Sequence, residues 1–281
     1  MVDLKETNRL LDVLMAAVDS PEPVAEGAEL YCGLDVGTAF IVLVVVDAAG
    51  EPVACAYQFA DVVRDGMVVD YMGACDIARS LKEQLEGRLG CELFQTAVAI
   101  PPGTESLDGG VVRNVAESAG FDVVAVFDEP TAANMVMGIE NGAVVDIGGG
   151  TTGISVLCDG RVVQCVDEST GGTHFSLVLA GAKGVGFDEA EGYKRDSANH
   201  AEVLRIVRPT VDKVASIVER SCRGFEVPEV ILVGGTAELT GIEDRMEHQL
   251  GMPVVKPSRP MFVTPLGIAC GCRAKVQGEG R

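Results

Sequence analysis

Apolar positions in residues 3–19 recur at helical spacing: Leu4, Leu11, Met15 and Val18 make one stripe, with Leu10 and Leu14 beside it. That pattern predicts an amphipathic helix. Pro21 and Pro23 follow, and an acidic linker runs to Glu29. Such a helix either packs on the body of the protein or serves as a detachable docking helix for a partner. From Leu30 the pattern changes to short apolar runs bounded by Gly, Pro and Asp. Residues 30–34, 40–47 and 53–59 read as strands, and 67–70 as a short extended piece. Ile77, Leu81, Leu85 and Leu89 fall four apart and predict a helix over 77–89. Residues 94–100 read as a strand stopped by Pro101-Pro102-Gly103, and 107–119 as a helix closed by Gly120. A strand over 123–127 and a helix over 131–137, opened by Pro130, complete this half.

The second half begins as the first does. A strand over 143–145 runs into Asp146-Ile147-Gly148-Gly149-Gly150-Thr151-Thr152, and a strand over 153–158 follows. A third strand (161–167) leads into Gly171-Gly172 and a helix. A long helix spans about 201–222, a strand over 229–233 feeds Gly234-Gly235, and helices over 241–250 and 264–275 close the chain. The unit strand, Asp-Gly turn, strand therefore occurs twice, with Asp35 and Asp146 separated by 111 positions. Such a repeat predicts an α/β fold of two duplicated lobes, each a mixed sheet with flanking helices, with both turns in one nucleotide cleft. The expected division is a helix and linker over 1–28, lobe I over 29–141, lobe II over 142–263, and a C-terminal helix over 264–281 returning to lobe I.

Hydrophobic residues make up 47% of the chain and charged residues 23%, as in ordinary globular proteins. No apolar run approaches the roughly 18 residues of a membrane span. The start of the chain, with Asp3, Lys5 and Glu6, is unlike a secretory signal, so cytoplasmic residence is expected. The net charge of −20 disfavours nucleic acid and anionic lipid as partners. The nine cysteines include no C-x-x-C pair and read as small buried apolar residues in a reducing compartment.

Backbone N–H groups in a tight Gly-containing turn make an anion cradle, and glycine lets the backbone approach closely. The G-x-x-x-x-G-K-[ST] loop is absent. Gly148-Gly149-Gly150 lies instead between two strands, which it weakens, so close approach of a ligand is expected there. Each turn begins with a carboxylate, Asp35 or Asp146. Beside a phosphate, such an acid makes sense with Mg²⁺, held through its waters by one or two carboxylates and phosphate oxygens. Gly37, Thr38 and Thr151 can add phosphate contacts.

At these residues the sequence resembles the actin, sugar-kinase and heat-shock-chaperone ATPase superfamily. Residues 33–38 (GLDVGT), 128–133 (DEPTAA), 145–152 (VDIGGGTT), 231–236 (ILVGGT) and 265–269 (PLGIA) look like its five motifs, in order. Closer still is the resemblance to the chaperone-like EutJ family of ethanolamine utilisation, carried by residues 61–66, 101–104, 128–132, 145–154 and 177–181. The resemblance implies ATP or ADP with Mg²⁺ as ligand. Protein partners would be enzymes of ethanolamine degradation or their microcompartment shell, and oligomers are possible. It implies that Glu129 stands near an attacking water, that Gly171 and Gly172 with Gly148–Thr152 meet phosphate, and that Gly234 and Gly235 lie under the nucleoside; by its position alone Glu129 reads equally as a charge at a helix start. His174, just after the Gly171-Gly172 turn, reads as structural, with contact to phosphate or a carboxylate as the alternative. Only some 25 residues separate Gly172 from the helix near Ala201, so the outer part of lobe II is short. No counterpart of the chaperones' catalytic lysine stands in lobe I, and no peptide-binding domain is expected. Nucleotide binding with at most slow hydrolysis is the resulting expectation. The alternatives are a structural protein with a vestigial nucleotide site, like pilus or division homologues, a small-molecule kinase, and an activator with a bridging iron–sulfur cluster.

Overall fold

The computed structural model describes residues 2–20, 23–64, 67–102 and 108–278. Pro21, Asp65-Gly66, Gly103-Thr104 and Leu107, singled out in the sequence, lie outside these residues. Past the first two residues, the chain makes two compact units, residues 3–138 with 262–281 and residues 139–261.

The first unit starts with α1 (Lys5–Asp19), then β1 (Leu30–Val36), β2 (Phe40–Asp47) and β3 (Pro52–Phe59), an antiparallel meander. A two-stranded hairpin, β4 (Val63–Arg64) and β5 (Met67–Val68), leads to α2 (Tyr71–Leu89). Then come β6 (Gln95–Ile100), α3 (Asp108–Ser118), β7 (Asp122–Asp128) and α4 (Glu129–Met137). The sheet order is β3-β2-β1-β6-β7, with β1, β6 and β7 parallel. The six central residues of β2 are all buried, which is why the strand is a continuous apolar run rather than an alternating one.

The second unit repeats this plan: β8 (Gly142–Ile147), β9 (Thr152–Cys158) and β10 (Arg161–Glu168) form the meander. Then follow α5 (Gly172–Lys183), α6 (Phe187–Arg195), α7 (His200–Cys222), β11 (Val230–Val233), α8 (Ile242–Leu250) and β12 (Val254–Val255). The order β10-β9-β8-β11-β12 matches the first sheet strand for strand, with the same parallel and antiparallel senses. The chain ends with α9 (Val263–Gln277), which belongs to the first unit.

Several elements differ from the sequence pattern for physical reasons. α2 starts at Tyr71 rather than near Ile77, because the Asp70 side chain accepts a hydrogen bond from the Gly73 amide at 2.9 Å and caps the helix. α4 starts at Glu129, since Asp128 accepts from the Thr131 amide at 2.9 Å. α1 is packed into its unit: it lies against β3, Leu11 and Leu14 are fully buried, and Arg88 donates to the Val18 carbonyl at 3.3 Å. α6 and β12 carried no clear apolar period. No disulfide joins any of the nine cysteines, but only five are buried and Cys165 is exposed, so the expectation of uniformly buried thiols is corrected. Among the described residues, no helix is long and apolar enough to cross a membrane.

Candidate functional site

The two Asp-Gly turns share one geometry. The Gly37 amide donates to the Phe40 carbonyl at 3.0 Å, and the Gly148 amide donates to the Thr151 carbonyl at 3.0 Å. Asp35 thus corresponds to Asp146 and Gly37 to Gly148. Thr38 corresponds to Gly149, and Thr151 to Phe40, so the two threonines are not equivalent.

In the second unit the turn is held from behind. The Gly148 carbonyl accepts from the Gly172 amide at 2.9 Å and from the Thr236 hydroxyl at 2.7 Å. The Gly149 carbonyl accepts from the Thr173 amide at 2.7 Å. The two amide donors, Gly172 and Thr173, sit in the first turn of α5, where helix amides lack partners of their own, while Thr236 follows β11. A trans peptide points its N–H opposite to its C=O. With the carbonyls of 148 and 149 turned toward α5, the amides of Gly149 and Gly150 project from the other side of the loop. Two consecutive amides so aligned form an anion cradle. The helix N-terminus itself is occupied; its role is to fix the loop.

The neighbouring glycines are dictated by this closeness. A Cβ at Gly171 would lie 2.7 Å from the Gly150 carbonyl carbon and 2.8 Å from the Gly149 oxygen. Gly172 is hemmed in by the Thr236 hydroxyl and by Lys194 Nζ, at 3.0 Å from such a Cβ. Gly234 (φ 89°) lies under Asp146; a Cβ there would strike the Asp146 carboxylate and come within 2.6 Å of the Ile147 oxygen. A Cβ at Gly235, in contrast, would meet only Met261 among the described residues, at 3.9 Å. Thr151 and Thr152 are buried, and the Thr152 hydroxyl donates to the Thr170 carbonyl, tying β9 to the segment that enters α5.

Asp146 is only 6% exposed. Nearby on β10 is Asp167, which sequence reading took only as a strand end. Burial pushes its carboxyl up to about 6; the Thr151 hydroxyl opposes this, and the charge of Asp146 adds to it. Its Oδ1 is enclosed and has no hydrogen-bond partner among the described residues. A carboxyl raised in the folded state costs stability once it ionises: the cost begins above the unfolded value near 4 and is complete above 6. Two pKa units correspond to roughly 3 kcal/mol, and discounting for partial solvent access leaves about 1 kcal/mol. Asp167→Asn should therefore stabilise the nucleotide-free protein by about 1 kcal/mol at pH 7.5 and not at pH 4, as read by urea titration.

Lys194 is a second residue the sequence did not reveal. From α6 its Nζ donates to the Gly172 carbonyl at 3.0 Å and to Glu191 at 2.8 Å. Burial pulls the lysine below its ordinary value, opposed by Glu191. Burial works to raise Glu191 as well, but Lys194, Ser176 and Arg195 together hold it low. This pair braces the Gly171-Gly172 turn. Its only sequence signal is α6's charge order, with Asp188 and Glu189 in the first turn and Lys194 and Arg195 in the last. His174 stands in the first turn of α5, and its Nδ1 is enclosed without a partner among the described residues. In the first unit, Asp35 ends near the turn of β1, and Glu129 opens α4 just after β7. Among the described residues no group of three or more His, Cys, Asp or Glu is arranged to hold a metal directly.

The chain matches the family model described as MreB/Mbl protein over residues 57–179 and that of the type IV pilus assembly protein PilM over residues 124–266. It is 42% identical to the ethanolamine utilization protein EutJ of Salmonella typhimurium over 264 residues, which is 94% of this chain and 93% of that protein. The crystal structure of EutJ from Carboxydothermus hydrogenoformans superimposes with a TM-score of 0.89 at 46% identity, covering 94% of this chain and 98% of that one. MreB5 of Spiroplasma citri bound to ADP gives 0.69 at 15% identity over 89% of this chain and 98% of that one, a likeness of fold.

Proposed function

This chain belongs to the EutJ family of ethanolamine-utilisation proteins, and on that premise we propose that it is a nucleotide-binding, chaperone-like or assembly factor of ethanolamine utilisation. Its ligand is ATP or ADP with Mg²⁺. The observation that carries the reading is the loop of Gly148, Gly149 and Gly150: α5 and Thr236 capture the carbonyls of Gly148 and Gly149, so that the amides of Gly149 and Gly150 face outward. Phosphate oxygens are the natural occupants of such a cradle.

In this reading Thr151 and the loop amides hold phosphate, with Thr152, Gly171 and Gly172 keeping the loop in place. Gly234 and Gly235 form the floor for the nucleoside. Gly37 and Thr38 form a phosphate turn of the same kind in the first unit. Asp146 holds waters of the metal in the second unit, and Asp35 is the matching carboxylate of the first unit's turn. The residues fit a hydrated cation: Asp146 is buried, and the enclosed Asp167 Oδ1 lacks a partner among the described residues. When bound, Mg²⁺ neutralises phosphate charge. Glu129 orients water for slow hydrolysis. Enzymes of ethanolamine degradation, or the shell around them, are the protein partners.

The test is titration with a fluorescent ADP analogue, together with release of phosphate from ATP. Saturable binding with turnover well below one per second is expected. Asp146→Asn should weaken binding about tenfold with Mg²⁺ present, the loss of roughly 1.4 kcal/mol. Binding of the analogue that is indifferent to Asp146→Asn would sink the assignment of that residue.

A further inference from the structure

Register places two carboxylates in one row of the second sheet. On β8, Asp146 lies opposite Gly153 of β9, and Gly153 lies opposite Asp167 of β10. Directly opposed residues of neighbouring strands project on the same face. Asp146 and Asp167 therefore share a face, two strands apart, or about 9.5 Å between backbones. Between them stands a residue without a side chain. A glycine inside a strand loosens it and marks a place where something else comes close.

The first sheet supplies the comparison. There the row that begins with Asp35 continues to Val42 and Tyr57. The gap and the second acid are thus properties of one unit only. The next residue of β10 shows that this strand satisfies a carboxylate where packing requires one: Glu168 pairs with Arg220 at 2.6 Å. Asp167, on the opposite face, keeps Oδ1 enclosed with no partner among the described residues. An enclosed, unsatisfied carboxylate oxygen calls for an explanation, commonly an ion or water.

We propose that Asp167 is a further cation-positioning residue of the site, which with Asp146 holds the water shell of the divalent ion that accompanies a nucleoside phosphate across the gap at Gly153. The proposal rests on the nucleotide-binding reading above. Mg²⁺ keeps several of its waters and is gripped through them by one or two carboxylates.

The experiment is calorimetric titration of ADP, once with Mg²⁺ and once with EDTA, into wild type and Asp167→Asn. Manganese paramagnetic resonance of the ADP complex serves as a second readout. In wild type, Mg²⁺ should tighten ADP binding. In Asp167→Asn, affinity in EDTA should be equal or higher, since a charge repelling phosphate is gone, while the Mg²⁺ enhancement should shrink about tenfold and the manganese spectrum change. Asp167→Glu should keep part of the enhancement. Wild-type Mg²⁺ dependence and an unchanged manganese spectrum in a folded Asp167→Asn would overturn the role of Asp167 and leave nucleotide binding intact. ADP binding absent from wild type would overturn both.

Discussion

Gly267→Ala should lower the stability of the first unit by about 3 kcal/mol, although alanine is the better helix former. A Cβ at Gly267 of α9 would overlap the Ala132 carbonyl oxygen of α4 and lie 2.5 Å from its carbon. The obstacle is backbone, so no side-chain rotation relieves it. On the other flank of α9, a Cβ at Gly33 of β1 would lie 2.7 Å from the Pro265 oxygen; on the same flank as Gly267, one at Gly271 would lie 2.6 Å from the Phe127 ring. α9 is thus clamped between β1 and α4 and has nowhere to retreat. Helix propensity favours alanine by up to about 1 kcal/mol, whereas overpacking of this kind costs roughly 1–3 kcal/mol and occasionally more. A 3 kcal/mol loss corresponds to a fall of roughly 6–12 °C in the melting midpoint. Gly87→Ala is the control: among the described residues nothing lies within 4 Å of a Cβ there, in the last turn of α2. It should stabilise by up to about 1 kcal/mol. Calorimetric melting of both variants checks the pair, and an unaltered midpoint in Gly267→Ala would refute the clamp.

The second large effect is on ligand binding. Gly171→Ala should weaken nucleotide binding about 10- to 100-fold, the equivalent of roughly 1.4–2.8 kcal/mol. The added carbon would press on the carbonyls of Gly148 and Gly149 and on the carbon of Gly150. Those groups must move, and with them the outward amides; small misplacements at a site cost this much. Gly181→Ala, farther along α5 with open space around it, should bind as wild type does. Equal affinity of Gly171→Ala and wild type would show that the loop does not hold phosphate.

Much of this fold was legible in the sequence because strands buried on both faces leave continuous apolar runs. β2 matched its predicted bounds, and the two hairpins were recognisable as a repeat before any coordinate. Elements fixed by polar contacts were harder to see. The start of α2 depends on one side-chain cap at Asp70, and α6 on ion pairs that hold Glu191, Lys194 and Arg195. The loop residues Gly148, Gly149 and Gly150 could be read from their type, since three glycines in a hairpin are otherwise unfavourable. What they do with their carbonyls could not, because the partners Gly172, Thr173 and Thr236 lie far along the chain. Asp167 was invisible for the same reason. Its meaning comes from strand register, through Gly153, and register across three strands is not written in any local pattern.

Binding of a nucleoside phosphate by the glycine loop of the second unit is tested most directly by isothermal titration of wild-type protein with ATP and with ADP, each with and without Mg²⁺. One-to-one saturable binding, tighter with the metal and weakened in Asp146→Asn, is the predicted result. No heat and no saturation at millimolar nucleotide, with protein that melts cooperatively, would contradict it.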